Sequence, residues 1–125
     1  MAAPVPNYAH NATWLSPHDA DSFWLTVDFG MNTHGVRLTL PLYIRLFGID
    51  GWELSQPLGP DARDFTTQVL SKAKRIVVAT LKPDGIHQVG EEKYGRWLAR
   101  VWADDQELAD LLRTNGFEKT VPTAG

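Results

Sequence analysis

Apolar and polar positions alternate from Arg37 to Phe47. Leu38, Leu40, Leu42, Ile44 and Leu46 fall on one side of an extended chain, and Arg37, Thr39, Tyr43, Arg45 and Phe47 on the other. A two-residue period is the mark of a half-buried strand. The leucine-rich side is therefore the expected core face, and Arg45 is expected to point away from it. Pro41 has no N–H to give to a ladder and predicts an edge, a bulge or a break. Upstream, Ser22–Asp28 is rich in strand formers (Phe23, Trp24, Thr26, Val27). Ala12–Leu15 reads as a short first strand, closed by a turn at Ser16-Pro17-His18-Asp19. Asp28 to Gly35, with Gly30 and Asn32, reads as the hairpin connection to the third strand.

The period changes to 3.6 after the connector Gln56-Pro57-Leu58-Gly59-Pro60. Ala62, Phe65, Val69, Leu70 and Ala73 form a helical stripe. Pro60 suits the first helical position, Asp61 and Asp64 the positive end, and Lys72, Lys74 and Arg75 the negative end. Arg75–Lys82 reads as a fourth strand ended by Pro83-Asp84-Gly85, with Ile86–Val89 extending it past the turn. Trp97–Trp102 reads as a fifth, after a polar loop over Gly90–Gly95. Asp104-Asp105 is expected to cap a second helix reaching about Asn115, with Leu108, Leu111 and Leu112 inward and Gly116 as its stop. Three strands, a helix, two strands and a helix make a mainly β chain of the α+β kind. That order fits a five-stranded Greek-key barrel of the OB-fold type. The expected division is an N-terminal arm over 1–11, a barrel domain over 12–119 and a tail over 120–125.

Composition narrows the function classes. The chain has 125 residues, 43% hydrophobic and 22% charged, values of an ordinary globular domain with one core. It has no cysteine, so disulfide frameworks, zinc–thiolate sites and a cysteine nucleophile are excluded. The first residues carry neither a basic segment nor an apolar run, so no signal peptide is expected and the default location is cytoplasmic. No stretch approaches the ~20 apolar residues of a membrane span. The net charge is −3, which argues against a protein that simply coats nucleic acid. An acidic protein can still act on nucleic acid when its carboxylates hold a cation, because the cation supplies local positive charge.

Three polar clusters carry the candidate chemistry: Asp19-Ala20-Asp21-Ser22, Arg45 through Glu53, and Lys93-Tyr94-Gly95-Arg96. Hydrolysis of a phosphodiester needs an oriented, deprotonated water, neutralised phosphoryl oxygens and a stabilised leaving oxygen. Asp21 and Asp50 are hard oxygen donors suited to Ca²⁺ or another divalent cation. Glu53 stands three residues beyond Asp50, within reach of a water beside the cation. Arg45 and Arg96 are permanently charged forks that match phosphate geometry. Taken singly, each aspartate is an ordinary turn former and each arginine an ordinary solvated side chain; joint order carries the reading.

In that order the chain resembles the staphylococcal nuclease family. Asp19-Ala20-Asp21-Ser22 is similar to its Asp-Gly-Asp-Thr turn, and Arg45-Leu46-Phe47-Gly48-Ile49-Asp50-Gly51-Trp52-Glu53 to its Arg-to-Asp-to-Glu stretch. Gln56-Pro57-Leu58-Gly59 is similar to its connector, and Lys93-Tyr94-Gly95-Arg96-Trp97-Leu98-Ala99 to its Lys-Tyr-Gly-Arg-x-Leu-Ala motif. The resemblance spans about Ala12 to Lys119. It implies Asp21, Asp50 and the Gly51 carbonyl as Ca²⁺ ligands, with Asp19 just outside them. It further implies Glu53 as the base or water-orienting residue and Arg45 and Arg96 as the phosphate clamp. Lys93 and Tyr94 would contact the nucleotide's terminal phosphate. The implied activity is Ca²⁺-dependent hydrolysis of DNA or RNA with little sequence preference.

The sequence departs from the family pattern in three places. Gly51-Trp52 stands where the family has Thr-Pro or Ala-Pro, exchanging a φ-fixing proline for a glycine and an indole. Trp52 is placed either to stack on a base or to fill the nucleotide site. Ala20 replaces the turn glycine, which strains the turn only if that position needs a positive φ. No third helix is expected after Phe117. These departures support a second reading, a catalytically impaired barrel serving as a structural or assembly component, for example of a phage virion. Of the five tryptophans, Trp14, Trp24, Trp97 and Trp102 lie in strand-like stretches and are expected mostly to pack the barrel.

Overall fold

The computed structural model describes residues 9–30, 38–49, 56–80 and 97–118. Its elements follow the expected order with one unexpected addition, β6: β1 (Ala9–Asp19), β2 (Ser22–Asp28), β3 (Thr39–Leu46), α1 (Gly59–Lys72), β4 (Ile76–Thr80), β5 (Trp97–Ala103), a two-residue β6 (Gln106–Glu107) and α2 (Leu108–Thr114). The sheet runs β3-β2-β1-β4-β5-β6, and β3 also pairs with β5, which closes five strands into a barrel. Four ladders of the barrel are antiparallel. The closing one is parallel and short, joining Ile44, Arg45 and Leu46 to Trp97, Leu98 and Ala99. This is the mixed, five-stranded barrel of the OB-fold.

The core follows from strand alternation. Phe23, Leu25 and Val27 of β2, Ile44 and Leu46 of β3, Val78 of β4 and Val101 of β5 are fully enclosed. Ala62 and Leu70 of α1 and Leu108 and Leu112 of α2 join the same cluster. At the end of α2, Gly116 has φ of +80°, its N–H donates to the Arg113 carbonyl, and the Phe117 N–H donates to the Leu112 carbonyl. That pair of bonds is a Schellman stop, as the glycine predicted.

Several expectations are corrected. The first strand does not end at Leu15; β1 runs from Ala9 to Asp19, straight through the expected turn. Among the described residues only Ala9–Ala12 pair with β4, so Pro17 has no ladder partner among them on its outer edge. Two register shifts, between Trp14 and Ser16 and between Pro17 and Asp19, absorb the irregularity. The uniform core face of β3 also fails: Ile44 and Leu46 are buried, but Leu38 and Leu40 are more than 40% exposed. Among the described residues closure by β5 reaches only Ile44–Leu46, and the earlier half of β3 overhangs the barrel and pairs only with β2. Pro41 lies in that overhang, opposite Thr26, on an edge as expected.

Asp104-Asp105 is not a helix cap. Both residues have positive φ (49° and 70°) and form the two-residue turn between β5 and β6, a conformation that aspartate tolerates better than most residues. Asp104 instead accepts hydrogen bonds from the Lys74 and Arg75 backbone N–H groups, at 3.2 and 2.9 Å, fastening the end of α1 to the barrel. Trp102 is buried, and Trp14 and Trp97 pack against the core. Trp24 does not; it faces outward.

Candidate functional site

The β1–β2 turn and the end of β3 bring the first two polar clusters together. Ala20 and Asp21 form the tip between Asp19 and its partner Ser22, and Ser22 lies opposite Arg45 in the β2–β3 register. The ladder continues past the turn, where the Leu46 N–H donates to the Asp21 carbonyl at 2.7 Å. With Ile44 and Leu46 turned into the core, Arg45 projects from the opposite face as its alternation predicted. Its Nη1 donates to Asp21 Oδ2, forming a close ion pair, and approaches the Ile49 carbonyl at 3.3 Å. Arg45 thereby spans from the acidic turn to the backbone that leads into Asp50.

Asp19 and Asp21 are both buried. Asp19 Oδ1 is enclosed without a hydrogen-bond partner. Burial pushes the Asp19 carboxyl up to about 7, helped by the neighbouring Asp21 carboxyl and opposed by the Asp21 and Ser22 backbone N–H groups. Two carboxyls side by side, one with an orphaned oxygen, form a donor set that a hard divalent cation would satisfy. Among the described residues no group of three acidic or histidine side chains makes a complete cation cage. Asp50 and Gly51, expected to complete it, lie outside the described residues. So do Trp52, Glu53, Lys93, Tyr94 and Arg96.

Two supporting contacts were not read from the sequence. Thr66 of α1 is fully buried and donates its hydroxyl to the Ala20 carbonyl at 2.9 Å. The signal was present, because Ala62, Thr66 and Leu70 share one helical line at i, i+4 spacing. Arg113 of α2 donates to the Gly48 carbonyl at 2.8 Å, and Gly48 has φ of +86°. That bond has no local sequence signal, since 65 residues separate its partners. Ala20, in place of the family's glycine, is fully buried in the core cluster and is not among the residues with positive φ. The substitution therefore leaves the acidic turn unstrained and adds a packed methyl.

A closed OB-type barrel with an acidic hairpin tip against a strand-end arginine defines a nuclease-like class of protein. The chain belongs to the staphylococcal nuclease homologue family, whose model matches residues 43–122. The match begins with Tyr43, so it takes in Arg45 and the later motifs, while β1, β2 and the Asp19–Asp21 turn precede it. Comparison with curated proteins gives no significant match. Among the described residues, no helix is long and apolar enough to cross a membrane.

Proposed function

We propose that the protein is a divalent-cation-dependent phosphodiesterase acting on DNA or RNA, with Ca²⁺ the expected ion. The observation that carries this reading is the Asp21–Arg45 pair, whose arginine also reaches the carbonyl of Ile49, the residue before Asp50 in the sequence. Asp21, Asp50 and the Gly51 carbonyl would hold the cation, which when bound would neutralise phosphoryl charge and acidify a water. Arg45 exchanges its Asp21 partner for a phosphoryl oxygen when substrate arrives, and the freed Asp21 carboxylate would serve as a cation ligand. Glu53 orients or deprotonates the attacking water. Arg96 stabilises the leaving oxygen, and Lys93, Tyr94 and Trp52 contact the nucleotide.

The test is cleavage of single-stranded DNA, duplex DNA and RNA in Ca²⁺ or chelator by the wild type, Glu53→Gln and Arg96→Ala. Cleavage by the wild type that needs the ion and falls at least tenfold in both variants, about 1.4 kcal/mol or more, supports the reading. Wild type and variants equally inert with several divalent ions would sink it. In that case Gly51-Trp52 favours the barrel as a structural or assembly component, detected by copurification with a particle or a fixed partner.

A further inference from the structure

Beyond Arg45, β1, β2 and β3 each contribute one ring to an outward cluster. Trp24 and Tyr43 are direct cross-strand partners, with centroids 5.0 Å apart and planes inclined by only 6°. His18 stands edge-on to Tyr43 at 5.9 Å and 83°. The register shift between Pro17 and Asp19 puts His18 out of step with β2, and a bulge is a common means of re-aiming one side chain. Barrel packing does not account for this cluster: Trp24 is 37% exposed and the His18 side chain 58%. Tyr43 and Arg45 are two residues apart on one face, about 7 Å along the strand, a span comparable with one extended nucleotide.

We infer that Trp24, Tyr43 and His18 form a stacking subsite for single-stranded nucleic acid, which holds a base beside the phosphate bound at Arg45. This deepens the nuclease reading and rests on it for the position of that phosphate. The occupant follows from continuity and chemistry. Tyr43 lies on the strand carrying the phosphate-matching arginine, Trp24 and His18 pack against it from the two neighbouring strands, and aromatic faces accept any base. All three are amphipathic rings, suited to a ligand with flat, polar-edged bases more than to an aliphatic protein surface. Bases paired in a duplex are already stacked, so the subsite favours single strands.

The test is fluorescence anisotropy with a labelled oligodeoxythymidylate of about eight nucleotides, in Ca²⁺ and with Glu53→Gln as the background that prevents cleavage. Trp24→Thr, which keeps a strand former, is expected to weaken oligonucleotide binding roughly tenfold or more. Trp24→Phe is expected to restore most of it, while affinity for deoxyribose 5-phosphate, which has a phosphate and no base, stays unchanged. The wild-type preference for single strand over duplex should shrink in Trp24→Thr. Trp24→Thr binding the oligonucleotide as the background does would overturn the subsite, and so would no binding by the background. An altered oligomeric state with unchanged oligonucleotide affinity would also overturn it, assigning the rings to a protein contact. Ion-dependent cleavage by the wild type, measured separately, tells failure of the subsite from failure of the nuclease reading.

Discussion

The Thr66 hydroxyl donates to the Ala20 carbonyl across 2.9 Å, and both residues are completely buried. This bond fixes α1 against the tip of the turn that presents Asp19 and Asp21. Thr66→Val keeps the shape but leaves the carbonyl unpaired, at an expected cost of about 1–3 kcal/mol in urea unfolding. Thr66→Ser keeps the bond and should lose less than Thr66→Val. An unchanged unfolding midpoint for Thr66→Val would rule out the anchor.

Arg45 pairs with Asp21 through one arm of a planar fork. Lysine would keep the charge but lose the fork. Arg45→Lys is therefore expected to lower kcat/KM for DNA at least tenfold, with kcat falling more than KM rises. An effect confined to KM would mean that the arginine only binds the ground state.

Asp19 gives a pH dependence with a definite sign. Its folded carboxyl holds a proton up to about 7, whereas an unfolded aspartate releases it near ~3.9. Between those values the folded state binds more protons, so stability from this group is full below about 4 and is lost as pH rises through about 7. Melting in chelator from pH 4 to 8 should show the wild type losing ground against Asp19→Asn. Above pH 7, Ca²⁺ should raise the wild-type melting temperature more than that of Asp19→Asn. Parallel curves for the two proteins would contradict this.

Asp104 and Asp105 separate stability from activity. Asp104→Ala removes the acceptor for two backbone N–H groups and should cost about 1–2 kcal/mol. Asp105→Gly relieves a φ of +70° and should gain up to about 1 kcal/mol. Neither change is expected to move kcat by more than twofold at a temperature where both variants are folded.

Arg113 holds the Gly48 carbonyl, two residues before Asp50. Arg113→Ala is expected to raise the Ca²⁺ concentration for half-maximal cleavage severalfold while the melting temperature shifts little, because the arginine is 44% exposed. A calcium titration matching that of the wild type would show that the loop is positioned without it.

Local pattern was enough for the element order, the exact span of β2 and the Gly116 stop, because each depends on chain periodicity or one residue's φ preference. It also placed Arg45 on the non-core side, since alternation alone sets that face. The chemistry of the Asp19–Asp21 turn was legible as a motif, and its location at a hairpin tip was missed by a few residues. Pro17 read as a turn signal; among the described residues its segment pairs with β2 alone, which lets it remain in a strand.

The sequence by itself determined which side chains are available: two aspartates on a short turn, an arginine at a strand end and rings two positions away. Tertiary structure decided what they meet. Barrel closure over Ile44–Leu46 buries half of an apolar face and leaves Leu38 and Leu40 outside. Register sets Ser22 against Arg45 and Trp24 against Tyr43. Burial, which no local pattern encodes, leaves Asp19 with an orphaned oxygen and a raised pKa. The strand pairings behind them join residues 19 to 53 positions apart, where chain closure rather than local propensity sets the geometry.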